Sequence, residues 1–142
     1  MNIAIIFAGG SGVRMGAGMP KQFLEINGKP IIIHTLDNFQ NSPSIDKIYI
    51  SCKKDYITTL QDLTKRFAIT KVCGIVEGGS NGQDSIYRAL RAADAENDKD
   101  AIVLIHDGAR PFVSEEVIQK NIECVKQHGS AVTCTSFFET PI

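Results

Sequence analysis

Between Phe7 and Gly16 the chain reads Phe7-Ala8-Gly9-Gly10-Ser11-Gly12-Val13-Arg14-Met15-Gly16. Glycines at this density leave backbone amides unshielded by Cβ atoms, so the loop can approach an oxyanion closely. A nucleotide phosphate is the natural guest, which makes Ala8, Gly9, Gly10 and Gly12 candidate nucleotide-binding residues. Two better-known loops do not fit. A dinucleotide fingerprint needs glycine where Met15 stands, and a P-loop needs Ser or Thr after Gly28-Lys29, where Pro30 stands. Instead Arg14 and Lys21 follow, separated by Gly16, Gly18 and Pro20. The arginine offers a planar fork and the lysine a compact charge, and together they can fold over a triphosphate from two sides. A glycine-rich surface loop with solvated cations is the competing reading.

A second concentration of chemistry is His106-Asp107-Gly108-Ala109-Arg110-Pro111, directly after the most apolar run in the chain. A carboxylate delivered on a strand end can bind a Mg2+ that bridges phosphate oxygens, and it can equally pair with Arg110 or form a turn. Gly108 lets a ligand approach the backbone, and Arg110 can reach an anionic substrate. His106 is a candidate base or a packed, hydrogen-bonded imidazole. His34 and His128 fall within and near the end of predicted helices and are assigned no chemistry. The third stretch, Glu77-Gly78-Gly79-Ser80-Asn81-Gly82-Gln83-Asp84-Ser85, carries small polar groups suited to reading a base or ribose edge. Asp84 is expected to cap a helix, whereas Ser85 suits either role.

These residues need elements to position them. Short Ile- and Val-rich runs alternate with segments of helical period, the pattern of βαβ units and a mostly parallel sheet. Strands are expected over 3–7, 47–52, 72–76, 101–106 and 131–135, most of them apolar on both faces. Helices are expected from Pro30 as first residue through Ile32, Leu36 and Phe39, from about Asp55 to Phe67, from a cap at Asp84 or Ser85 through Ile86, Leu90 and Ala93, and from Ser114 through Ile118, Ile122 and Val125. All three functional stretches then follow strands, at the carboxyl edge where open α/β folds bind ligands.

Composition sets outer bounds. The chain has 142 residues, 43% of them hydrophobic, which is enough for one core and predicts a single domain. Fifteen basic and 16 acidic residues give a net charge of -1, so no overall field favours nucleic acid or a membrane surface. No apolar run is long enough to span a bilayer, and the start lacks a signal-peptide pattern, so a cytosolic protein is expected. Cys52, Cys73, Cys124 and Cys134 form no C-x-x-C pair and are expected as reduced, buried thiols.

Taken together, Ala8-Gly9-Gly10-x-Gly12-x-Arg14-Met15-Gly16, Pro20-Lys21-Gln22-Phe23, Gly78-Gly79 with Asp84-Ser85, and His106-Asp107-x-x-Arg110-Pro111 resemble the polyol phosphate cytidylyltransferases. The resemblance implies a three-layer, Rossmann-like nucleotidyltransferase fold of the α/β class, and transfer of CMP from CTP to a polyol phosphate with release of pyrophosphate. It implies catalytic roles for Arg14 and Lys21 at the α-phosphate, Mg2+ binding by Asp107, and contacts to cytosine and ribose from Gly79, Ser80 and Ser85. Asp107, Arg110 and Thr140 would bind the polyol phosphate, and a projecting arm would make a homodimer. Family members are longer, so 1–142 is expected to be one nucleotidyltransferase domain lacking its C-terminal part. The methylerythritol branch usually carries Asp where Ser80 stands and Arg where Gly82 stands, and the first loop looks more like the ribitol branch. A nucleotidyltransferase for another sugar phosphate, and a catalytically incomplete nucleotide-binding fragment, are the alternatives.

Overall fold

The alternation of apolar strands and amphipathic helices produces one parallel sheet between two helical layers. A computed structural model describes residues 1–9, 18–97 and 99–135. In chain order these form β1 (Asn2–Ala8), a small hairpin of β2 (Glu25–Ile26) and β3 (Lys29–Pro30), α1 (Ile31–Asn41), β4 (Lys47–Cys52), α2 (Ile57–Arg66), β5 (Val72–Glu77), α3 (Gly82–Glu96), β6 (Ile102–Asp107) and α4 (Glu115–His128). The main sheet has the order β5-β4-β1-β6, with every pairing parallel. Strands added after β1 go to one side, and β6 then returns to the other. The order therefore reverses between β1 and β6, and such a switch point opens a crevice at the carboxyl ends of the strands.

The period of two along β1 divides the core. Ala4, Ile6 and Ala8 face a layer that includes Ile32, Ile33, Leu36 and Phe39 of α1, Leu60 of α2, and Ile118 and Ile122 of α4. Ile3 and Ile5 face the other side with Tyr49, against Ala89 and Ala93 of α3. The Tyr49 hydroxyl donates to Glu96 at 2.8 Å and accepts from Asn97 Nδ2 at 2.9 Å, fixing the end of α3 to the sheet. The three-layer α/β architecture read from the sequence is thus present.

Several boundaries differ from expectation. Pro30 is the last residue of β3, not the first of α1, because Asn27 (φ 52°) and Gly28 (φ 74°) turn the chain into a hairpin that pairs Glu25 with Pro30. The cap of α3 is Asn81, whose side chain accepts from Asp84 N at 2.9 Å, so the helix starts earlier than a cap at Asp84 or Ser85 would give. Ser114 caps α4 as expected, accepting from Val117 N, and Gly129 ends it in the left-handed region at φ 83°.

Residues 131–135 form no strand. Asn121 Nδ2 donates to Thr133 Oγ1 at 2.8 Å, drawing this segment to α4 instead of to the free edge of β6. Nor, among the described residues, is β6 buried on both faces: α3 lies over β1, β4 and β5, which leaves Val103 and Ile105 exposed, Ile105 by 50%. With the segment 131–133 and α4 they line an open groove of about 430 Å³.

All four cysteines are free, but only Cys52 is fully buried. Cys124 is partly covered, and Cys73, on the edge strand β5, and Cys134 are exposed. Burial pushes the Cys52 thiol from about 9 to about 11. In titration with a thiol reagent near pH 8, Cys73 and Cys134 should react first and Cys52 only after denaturant unfolds the chain. Because the folded-state value is raised, this thiol favours the fold fully below pH 9 and loses that contribution as pH climbs towards 11. A fast-reacting Cys52 in the folded chain would contradict the assigned burial.

Candidate nucleotide site at the carboxyl edge of the sheet

The loops after β1 and β5 meet at one side chain. Ser85, in the first turns of α3, is 1% exposed. Its hydroxyl accepts from Gly79 N at 3.0 Å and donates to Asn81 O at 2.8 Å. A Cβ built on Gly9 would lie 2.7 Å from Ser85 Oγ, and one on Gly78 would lie 3.0 Å from it, so both backbones come as close as glycine allows. Gly78 N also donates to Cys52 O at 2.7 Å, tying the second loop to β4. A side chain on Gly79 would run into Asp84, whose carboxylate accepts from Ser80 N at 3.2 Å and pairs with Arg88 at 3.4 Å. Ser85 therefore both shapes the loop and lies beneath it, while Asp84 is not the helix cap expected of it: Asn81 holds that place, and the Asp84 carboxylate ties Ser80 N instead.

The loop after β6 joins from the other side of β1. Gly108 is buried and donates to Phe7 O at 2.9 Å, and a Cβ built on it would sit tightly, 3.3 Å from Ala8 Cβ and 3.4 Å from Ile6 Cγ2. Asp107 uses one carboxylate oxygen to accept from Ala109 N at 2.8 Å and holds the other 3.6 Å from Arg110 Nε. Both competing roles read from the sequence, a turn and a pairing with Arg110, are thus realised together. His106 does not face the crevice as a base: its Nε2 lies 2.9 Å from Arg110 O and its ring centroid 5.2 Å from that of Phe39. A carbonyl can only accept, so Nε2 carries the proton.

Lys21 is exposed on a single turn, Lys21–Phe23, whose next two residues are buried. Gln22, 3% exposed, donates from Nε2 to Ala8 O at 2.5 Å, and Phe23 stacks on Tyr56 with centroids 4.6 Å apart. This fixes the base of Lys21 beside the start of the first glycine loop. Gln22 and Asn81 were not singled out in the sequence. Asn81 offered a cap signal, whereas nothing in the sequence marks Gln22 as a buried amide. Gly10, Gly12, Arg14 and Thr140 lie outside the described residues.

The arrangement brings Ala8, Gly9, Gly79, Ser80, Ser85, Asp107 and Gly108 to one edge of the sheet, with Lys21 and Arg110 as exposed cations. The sequence model of the 2-C-methyl-D-erythritol 4-phosphate cytidylyltransferases, IspD, matches residues 2–139. The chain belongs to the IspD family. Among members of that family and their kin, it is 52% identical to a ribitol-5-phosphate cytidylyltransferase of Streptococcus agalactiae serotype Ia, over all of this chain and 60% of the relative. It is 42% identical to a 2-C-methyl-D-erythritol 4-phosphate cytidylyltransferase of Clostridium botulinum, over 92% of this chain and 56% of that one. The crystal structure of 4-diphosphocytidyl-2C-methyl-D-erythritol synthase from Anaerococcus prevotii superposes with a TM-score of 0.70 at 29% identity, covering 89% of this chain and 51% of that one. This IspD-family chain therefore spans about 60% of the length of the curated relatives it matches.

Gly9→Ala should destabilise the fold by about 1–3 kcal/mol in urea unfolding, because the new methyl presses on Ser85 Oγ. In a Ser85→Ala background the same change should cost at least about 0.5 kcal/mol less. Additive penalties would show that the two positions do not meet.

Proposed function

We propose that this chain carries the nucleotide-handling part of an enzyme that transfers CMP from CTP to a polyol phosphate, ribitol 5-phosphate being the preferred acceptor. An oxygen of the acceptor phosphate bonds to the α-phosphorus of CTP, the bond from that phosphorus to the bridging oxygen of the β-phosphate breaks, and pyrophosphate leaves with the electron pair. The observation that carries this reading is the meeting of two glycine loops at Ser85, with Asp107 presented across β1. Family membership supports the reaction, and the higher identity to a ribitol-5-phosphate cytidylyltransferase supports the acceptor.

The chain's own groups act by holding and by charge. Amides of the glycine loops receive phosphate oxygens, and Lys21, with Arg14, stabilises negative charge that builds at the α-phosphate. Gly79, Ser80 and Ser85 border cytosine and ribose, and Arg110, with Thr140, binds the acceptor's phosphate. That phosphate is already anionic, so no base is needed, which agrees with a His106 turned towards Arg110 O.

Mg2+ is compatible with the residues present. It typically takes one or two carboxylates and fills its octahedron with water and substrate phosphates. Asp107 offers one carboxylate, with an oxygen whose Arg110 contact is long at 3.6 Å, and no cluster of three acidic, His or Cys side chains occurs among the described residues. When bound, Mg2+ would neutralise charge on the triphosphate. Assembly as a homodimer belongs to the same proposal and is read by light scattering.

Lys21→Ala should lower kcat about a hundredfold or more, as loss of one preorganised charge-stabilising group does. Pyrophosphate release measured with CTP, UTP and GTP checks the nucleotide. Turnover with UTP or GTP but not CTP would overturn the reading, as would a Lys21→Ala protein of unchanged rate.

A further inference from the structure

Helix α1 carries polar side chains in an otherwise apolar face. Thr35 lies among Ile32, Ile33 and Leu36 and is 0% exposed. A hydroxyl so placed is costly unless bonded. Its partner is the loop after β6: Thr35 Oγ1 lies 2.8 Å from Gly108 O, closer than the 3.3 Å to Ile31 O of its own helix, and donates to the loop. One turn on, Asn38 Nδ2 donates to Pro111 O at 2.7 Å. Thr35, Asn38 and Phe39 stand at i, i+3 and i+4 and so share a side of the helix. Phe39 backs the His106 ring, which donates to Arg110 O at 2.9 Å.

The carbonyls of Gly108, Arg110 and Pro111 are thereby each taken by a side chain. The amides of the same loop are also committed: Gly108 N to Phe7 O, Ala109 N to Asp107 Oδ1, and Arg110 N to Asp107 O. Between them these bonds fix the backbone from which Asp107 and Arg110 project. We propose that Thr35 and Asn38 are positioning residues, a two-point clamp on α1 that sets where the Asp107 carboxylate and the Arg110 guanidinium stand in the phosphate-handling site. The inference rests on the roles proposed above for Asp107 and Arg110, but the clamp itself is a separate physical claim.

Hydrogen exchange of the 142-residue chain, followed by mass spectrometry on peptides spanning 107–113, reads the clamp without any need for turnover. Thr35→Val and Asn38→Ala should each speed exchange of the amides at 108–110 about tenfold, with β1 and β4 unchanged, while Thr35→Ser stays within about twofold of the unsubstituted chain. Kinetically, Thr35→Val should lower kcat/KM for ribitol 5-phosphate about tenfold, and Thr35→Ser should restore it. Unchanged exchange at 108–110 in the Thr35→Val/Asn38→Ala double variant would overturn the proposal. So would acceleration spread evenly through β1 and β4, which would mark general loosening. If the unsubstituted chain does not bind CTP in calorimetry, the proposed function fails and the exchange result alone decides the clamp.

Discussion

The site depends on the position of β1 between two parallel ladders. Because Ile3 pairs with both Lys47 and Val103, the loops that leave β1, β4 and β6 end at a common level on one edge of the sheet. β5, joined through β4, brings the second glycine loop to that level too. Burial of β1 on both faces makes this register costly to change, since a slip of one residue would exchange the sides that Ala4 and Ile5 occupy. Glycine then sets the closeness of the loops: Gly9, Gly78 and Gly108 each stand where a Cβ would press on a neighbour.

The fold class was legible in the chain because its signals are local and periodic. Four expected strands and four helices are present, and all three functional stretches follow strands as read. What was misread depended on pairings between distant residues or on side chains competing for the same backbone. Residues 131–135 have strand composition, but Asn121 holds Thr133 to α4. Asp84 and Ser85 are both credible caps, yet Asn81 reaches the amide first and releases Ser85 to bind Gly79. The apolar character of β6 predicted burial on both faces, and could not reveal that α3 covers only the other three strands.

At the site, residue types with a charge or a missing side chain were easier to read than neutral polar ones. The glycines, Lys21, Asp107 and Arg110 announce their chemistry. Gln22, Thr35 and Asn38 are unremarkable letters within a helical or loop segment, and their importance comes from which backbone carbonyls they meet. A threonine in a buried helical face is the nearest thing to a sequence signal, because a buried hydroxyl implies a partner without naming it.

The half-covered state of β6 has a consequence for motion. Local opening is easiest where a strand is paired on one side and packed on one face, and among the described residues β6 meets both conditions. β5 is also an edge strand but lies between α2 and α3. The crevice therefore has unlike walls: the second glycine loop springs from a strand held between two helices, while Asp107 and Arg110 stand on one that α3 leaves uncovered. Rising temperature should release the wall that carries Asp107 and Arg110 from its register while the second glycine loop still holds its shape.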